Sequence, residues 1–295
     1  MELGAEDRRR DGTAIGNRVI YVLATAVWLV ANANIGRGDT LLDDKWADGS
    51  RYEANRPAEA EVWVGREQDV TVAAGALSSK MGETSQKIWT YFTDEKPIEL
   101  ATGQKLVVSV AFIPREALAT TTSRSFRLGV FHDPTNPRVE YDVNNDGGGP
   151  DAPWTDAEGY AVQVLITGGE GSYTSPLDLG KRTNLTSRSL LGTSGDYTKQ
   201  SGGRPATMQL DQEYRVVLEI KKVSETQLDL TASLLRGEEE LSTSTISDNG
   251  SALGTSSIAD HFDFLFLRIS DGATTADQID FTSFKVELLS APAEQ

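Results

Sequence analysis

From residue 61 to residue 289, apolar and polar residues alternate with a period of two, broken by clusters of glycine, serine, asparagine and aspartate. Successive side chains of an extended chain point to opposite faces of a sheet, so this pattern commits the chain to strands with one dry face. The main stretches are 105–113 (KLVVSVAFI), 125–132 (SFRLGVFH), 160–166 (YAVQVLI), 214–222 (YRVVLEIKK) and 227–235 (QLDLTASLL). Segments 261–269 (HFDFLFLRI) and 278–289 (QIDFTSFKVELL) close the series, and 61–65, 70–74 and 87–92 are shorter candidates. Turn clusters such as Gly168-Gly169-Glu170-Gly171, Ser201-Gly202-Gly203, Asp248-Asn249-Gly250 and Ser270-Asp271-Gly272 separate them. Only 115–120 and the alanine-rich patch 73–77 hint at a helical turn. Strands without alternating helices predict an all-β antiparallel sandwich.

Strand faces can be assigned from the same pattern. In 214–222, Tyr214, Val216, Leu218 and Ile220 share one side, and Arg215, Glu219 and Lys221 share the other. Segment 261–269 is apolar on both sides, which predicts a central, covered strand. The polar segment 133–159 runs directly into a strand at Tyr160, so it reads as a long loop rather than a domain boundary. Neither a linker nor an internal repeat interrupts the chain. Two large sheets sharing one core are expected over residues 34–295.

The first 33 residues read differently. Arg8, Arg9, Arg10 and Arg18 precede an apolar run over 19–31 that ends in Ala31-Asn32-Ala33. A basic start, a short apolar core and an A-x-A end describe a secretory signal peptide; the run is shorter than the roughly 20 residues a membrane-spanning helix needs. Cleavage near Ala33 is expected, with the product periplasmic or released and without a membrane anchor. The chain has no cysteine, which excludes a disulfide scaffold, a thiolate metal site and a cysteine nucleophile. An exported domain this long buries enough apolar surface to do without disulfides. With 28 basic against 44 acidic residues the formal charge is -16, which argues against a nucleic-acid partner. Two histidines and no cysteine also argue against a transition-metal catalytic centre.

The opening Leu42-Asp43-Asp44-Lys45-Trp46-Ala47-Asp48-Gly49-Ser50-Arg51 and the ending Asp280-Phe281-Thr282-Ser283-Phe284-Lys285-Val286-Glu287 resemble the first and last strands of secreted bacterial β-sandwich proteins. With the strand count, the chain resembles the concanavalin A-like lectin/glucanase superfamily over about residues 40–290. The resemblance implies a jelly roll whose concave sheet binds or cuts carbohydrate. Retaining glucanases of the superfamily carry a Glu-x-Asp-x-x-Glu strand; no strand here has it, and Glu238-Glu239-Glu240 and Asp43-Asp44 fall in turns. Alginate-lyase-like members use arginine and glutamine against a uronate carboxylate, with histidine and tyrosine as base and acid. The residues similar to theirs are Arg127, His132, Tyr160 and Gln163, which makes a polysaccharide lyase the preferred enzymatic alternative. This sequence departs from the lyase pattern: Phe126 stands in place of the glutamate, and the Gln-x-His strand is missing. Alternation also places His132 opposite to Arg127, and Tyr160 away from Gln163.

For binding, Ile88, Thr90 and Phe92 share one face, and Trp89 and Tyr91 share the other. Sugar rings stack on exposed aromatics, so Trp89, Tyr91 and the loop residue Trp154, with Arg127 and Gln163, are the candidate carbohydrate contacts. Burial of Trp89 and Tyr91 between sheet and loop is the alternative. The acidic net charge favours a neutral sugar. Asp142, Asn144 and Asp146, followed by Gly147, match the first half of a calcium loop, although Pro153 stands where the closing glutamate would be. A second calcium site could join Asp43, Asp44 and Asp48 to Asp280, because first and last strands of such folds are often neighbours. A secreted carbohydrate-binding protein, with calcium as a structural ion, is the leading expectation. An enzyme on the same fold and a self-associating structural protein are the alternatives, and the oligomeric state is open.

Overall fold

The period-two segments form two antiparallel sheets laid face to face, in a computed structural model that describes residues 38–80, 85–118, 125–143, 154–165, 177–192, 194–204, 206–251, 253–269 and 276–290. In chain order the strands begin with β1 (Gly38–Asp44), β2 (Trp63–Val64), β3 (Val70–Ala73), β4 (Ala76–Lys80), β5 (Gln86–Tyr91) and β6 (Ile98–Glu99). There follow β7 (Lys105–Leu118), β8 (Ser125–His132), β9 (Glu158–Leu165), β10 (Leu177–Arg182), β11 (Tyr197–Gly202) and β12 (Tyr214–Ser224). The series closes with β13 (Gln227–Arg236), β14 (Glu239–Asp248), β15 (His261–Phe262), β16 (Phe264–Ile269) and β17 (Ala276–Leu289). The larger sheet runs β14-β13-β12-β7-β17-β4-β3, and the smaller β11-β10-β9-β8-β16-β5-β2; β6 and β15 pair separately. One edge of β17 is shared: β4 pairs with its Gln278–Phe281 part and β1 with Phe284–Leu289. First and last strands are therefore neighbours.

The core lies between the sheets. Val108, Val110 and Phe112 of β7 and Tyr214, Val216, Leu218 and Ile220 of β12 face Leu128 and Val130 of β8 and Leu265 and Leu267 of β16. Each fully buried Val, Leu or Phe contributes about 1.5–3 kcal/mol. Strand β16 sits between β8 and β5 and is apolar on both faces for a reason: Phe264 and Phe266 join a second apolar cluster on the far side of the smaller sheet. One polar network crosses the core. Tyr160 of β9 and Lys181 of β10 both donate to the buried Asp248 Oδ2 of β14, at 2.5 and 2.8 Å, and so tie the two sheets together.

Five readings of local sequence are corrected. Asp43 and Asp44 end β1, and Glu239 and Glu240 open β14, rather than lying in turns. Segment 261–269 is divided into β15 and β16. Residues 115–118 continue β7, because the register carries Arg115 alongside Gln278 of β17. Residues 73–77 form the turn of the β3–β4 hairpin, with Ala73 opposite Ala76 and Gly75 at φ 96°, a region closed to most side chains. Strand β14 escaped notice because its dry face carries Ser242 and Ser244. Gly202 and Gly203 pass so close above these serines that a Cβ on either would lie 2.2 or 2.1 Å from a serine Oγ. Small polar residues are what this sheet-to-sheet approach admits. Among the described residues no helix is long and apolar enough to cross a membrane.

Candidate functional site

The outward face of the smaller sheet carries three rows of side chains in register. The first crosses Lys87, Arg268, Arg127, Gln163 and Asp178. The second crosses Trp89, Phe266, Gly129, Ala161, Gly180 and Lys199. The third crosses Tyr91, Phe264, Phe131 and Gly159. The face is therefore aromatic on the β5–β16 side, polar along one row, and made of small residues over β8–β10, where the Phe131 ring covers Gly129 and the Lys199 side chain lies against Gly180.

A shallow cleft with room for about one water-sized group opens beside Ala161 and Gly180. Ala161 and Gly180 floor it, and Arg127, Gln163, Asp178 and Lys199 rim it, with Tyr197 and Leu191 closing one wall. Arg127 Nε donates to Gln163 Oε1 at 3.1 Å, and Lys199 Nζ to the same oxygen at 3.2 Å. Among the described residues the Gln163 amide nitrogen has no hydrogen-bond partner. Burial pushes the Arg127 guanidinium below its usual range, and the Arg268 charge adds to this. Burial does the same to the Lys199 ammonium, with Arg127 as the neighbouring charge. The Tyr197 hydroxyl, pushed up by burial, accepts from Leu191 N at 3.2 Å. Asp178 is the one carboxylate lining the cleft among the described residues.

Three arginines hold the wall of this cleft in place. Arg127 Nη1 donates to the carbonyls of Leu191 and Gly192, both at 2.6 Å. Arg268 reaches Ser189 Oγ at 3.1 Å, and Arg182 donates to the carbonyls of Trp154, Ala157 and Ser187. Backbone carbonyls that would otherwise lie unpaired over an apolar sheet are thus satisfied by charged donors, the stronger kind of hydrogen bond.

The predicted residues divide among separate places. Arg127 and Gln163 meet at the cleft. Tyr160 faces the core, its hydroxyl pushed far up by burial and by Asp248. His132 ends β8, near Asp263 rather than near the cleft. The four residues matched to a lyase do not assemble. Trp89 and Tyr91 do stand on the outward face, opposite Ile88, but both are buried, so their proposed stacking role is corrected. Trp154 lies 5.5 Å from Trp89, edge to face. Trp89 Nε1 donates to Val139 O, and Val139 N donates to the Tyr91 hydroxyl, both at 2.9 Å. An aromatic row this large is more stable covered than wet, and the chain on either side of 144–153 covers it.

The calcium readings also change. Asp142 accepts from Arg51 Nη1 and Nη2 at 3.0 and 2.7 Å and from Val64 N at 2.9 Å. A carboxylate paired in this way to a buried guanidinium does not fit a calcium ligand. Asn144 and Asp146 lie outside the described residues, as does the 1–33 segment. Asp44 accepts from Trp46 N and Ala60 N, whereas Asp280 accepts from Ser78, Arg115 and Gln278; these acids do not converge. Asp48 instead approaches Glu53 and Glu59, with carboxylate oxygens within 4.8 Å of one another. The hydrogen bond between Glu53 and Asp48, with the Asp48 charge, holds Glu53 above its usual range.

Sequence reasoning did not find Asp178, Tyr197, Lys199 and Arg268. The first three lie on β10 and β11, whose short runs LDLGKR and YTKQSG carry weak alternation. No protein-family model and no curated protein sequence matches this chain. Among solved structures, it is similar to an endo-1,3-beta-glucanase from Streptomyces sioyaensis, at 12% identity and TM-score 0.50, over 86% of this chain and 97% of that one. It is also similar to the exoplasmic/lumenal domain of VIP36 in its Ca2+/Man2-bound form, at 13% identity and TM-score 0.49, over 83% and 87% of the chains. Peanut lectin matches at 11% identity and TM-score 0.44, over 86% and 98%. At these identities the likeness speaks for the fold alone. The chain is a concanavalin A-like β-sandwich.

Proposed function

We propose that this protein binds carbohydrate on the outward face of the smaller sheet, around the shallow cleft above Ala161 and Gly180. The carrying observation is the in-register row of Arg268, Arg127, Gln163 and Asp178 beside that recess. Planar donors and acceptors fixed at the rim of a concavity suit hydroxyl and carboxylate recognition. The endo-1,3-beta-glucanase from Streptomyces sioyaensis, which shares the fold, adds weight to a glycan ligand. Arg127 and Lys199 outnumber Asp178 at this rim, so a uronate-bearing polysaccharide suits it better than a neutral one. The net charge of -16 opposes long-range steering of such a ligand. Beyond about 8–10 Å that field is screened, and the local row decides.

A second reading, polysaccharide lysis, has one observation in its favour: Tyr197 and Lys199 line the same cleft as Arg127 and Gln163. They would take the acid and base roles that Tyr160 and His132, placed elsewhere, do not. A hydrolytic pair of carboxylates is not offered by the described lining, where Asp178 stands alone.

The test is a thermal-shift and calorimetric screen of the full chain against neutral and uronate polysaccharides. Ultraviolet absorbance of unsaturated products is followed in parallel. A uronate ligand should raise the melting temperature, and Lys199→Ala and Gln163→Ala should abolish that rise without unfolding the protein. Unsaturated product would establish the lyase. If no glycan of either class binds, the reading fails and a self-associating structural role takes its place. We propose export as well, from residues 1–33, to be checked by N-terminal sequencing of the product found outside the cytoplasm. Melting with calcium and with chelator tests the calcium expectation separately.

A further inference from the structure

The outward face of the larger sheet, on the other side of the sandwich from the cleft, holds a basin of about 330 Å³, a volume usual for small-molecule sites. Register places its floor. Arg215 of β12 stands beside Ala111 of β7, and Ala111 beside Ser283 of β17. In the next row, Ser109 of β7 stands beside Lys285 of β17, which is paired in turn with Asp43 of β1. Two acids close the β12–β13 side. Glu213 comes two residues before Arg215, and Glu238 lies in the turn after β13, whose Leu235 is the register partner of Arg215.

Most charges of this lining are already met. Lys285 Nζ lies 2.9 Å from Glu287 Oε1, Lys45 Nζ 3.5 Å from Asp43 Oδ1, and Glu213 Oε2 accepts from Thr282 Oγ1 at 2.8 Å. Two charges remain open. Among the described residues, Arg215 and Glu238 have neither an ion pair nor a hydrogen bond, and Arg215 Nε is buried without an acceptor. A buried donor on a charged group is costly to leave unmade, and each one in a native fold asks for an explanation. The edge of a guanidinium formed by Nε and one Nη fits a carboxylate through two parallel hydrogen bonds. Ser109, Ala111 and Ser283 are all short, so the floor beside Arg215 stays low.

We propose that the basin binds a free α-amino acid, with the ligand's carboxylate on the Arg215 guanidinium and its ammonium toward Glu213 and Glu238. The open charges are one cation and one anion, so a zwitterion satisfies both. A bare anion would leave Glu238 unmatched and would bring a second negative charge beside Glu213. Lys45 and Lys285 belong to the β1–β17 side, across the floor from the two glutamates, which favours the same orientation of the ligand. With Arg215 they balance Asp43, Glu213 and Glu238, so the lining has no excess charge that would select a polyanion. The site shares no residue with the cleft and is independent of the glycan reading.

Calorimetry of the full chain with L-leucine, L-glutamate and L-lysine in turn tests it. At least one of them should bind, at one per chain. Its amide, which lacks the carboxylate, and its N-acetyl form, which lacks the ammonium, should each bind about tenfold more weakly or worse. Arg215→Ala should weaken binding about 10–100-fold, and Arg215→Lys, which keeps the charge but loses the fork, should restore only part of it. Glu238→Gln, at an exposed position, should weaken binding of the amino acid but not of its N-acetyl form. The Arg215 Nε–H resonance should move on titration. Uronate binding should be the same in Arg215→Ala as in the unaltered chain, which separates this site from the cleft. Absence of binding by all three amino acids would overturn the proposal. So would an affinity unchanged in Arg215→Ala, or an N-acetyl form that binds as well as its parent, which would reduce the basin to an anion site.

Discussion

Asp248→Ala is the sharpest test of how the two sheets are joined. Asp248 is fully buried, and the Lys181 side chain is 4% exposed. Oδ2 accepts from Tyr160 and Lys181, and Oδ1 from Gly250 N at 2.8 Å. Lys181 also donates to Thr255 Oγ1 at 2.7 Å and to the Ser257 carbonyl. Removing the carboxylate leaves an ammonium in the core with neutral acceptors alone. Breaking one partner out of a buried pair costs about 3–5 kcal/mol. For a domain of this size each kcal/mol moves Tm by about 2–4 °C, so a fall of about 6–20 °C is expected. Urea unfolding followed by circular dichroism and tryptophan fluorescence measures it, with the slope watched for a change in the unfolded state. The double variant Asp248→Leu, Lys181→Met removes both charges and should recover most of the loss. A cost below about 1 kcal/mol for Asp248→Ala, or a double variant no better than the single, would refute the argument.

Burial works to raise the Asp280 carboxyl, but hydrogen bonds from Ser78, Arg115 and Gln278 and the Arg115 charge hold it below its usual range. Its stabilisation is therefore present above the ordinary aspartate range and lost as pH falls through the lower folded value. Asp280→Asn should flatten that part of the acid dependence of the urea midpoint, and an identical acid slope in both proteins would refute the assignment. Gly129→Ala would place a Cβ 2.4 Å from the Phe131 ring and 3.0 Å from Tyr160 O; overpacking of this kind should cost about 1–3 kcal/mol, read in the same unfolding assay. Trp154→Ala removes the ring packed on Trp89, Phe264 and Phe266. It should cost about 3 kcal/mol and shift the remaining tryptophan emission to the red as Trp89 meets water; unchanged emission would mean that other residues roof the cluster.

Strand existence and strand faces were legible in the sequence, because the direction of a side chain on a strand is a local property of the backbone. Alternation alone separated Tyr160 from Gln163 and Ile88 from Trp89, and it marked a covered central strand that the structure confines to 264–269, with 261–262 paired separately as β15. It failed where the dry face is made of Ser242 and Ser244, since there close approach rather than apolar area dictates the residues. Whether an outward face is wet is not a local property. Trp89 and Tyr91 were placed on the correct side, but only the contacts of Val139 and Trp154 over them decided that they are core. The cleft joins Arg127 to Lys199 and Tyr197 through strand pairings that β10 and β11 hardly announce. Periodicity fixes which way a residue points; long-range pairing, set by the closure of sheets and loops around a shared core, fixes what it points at.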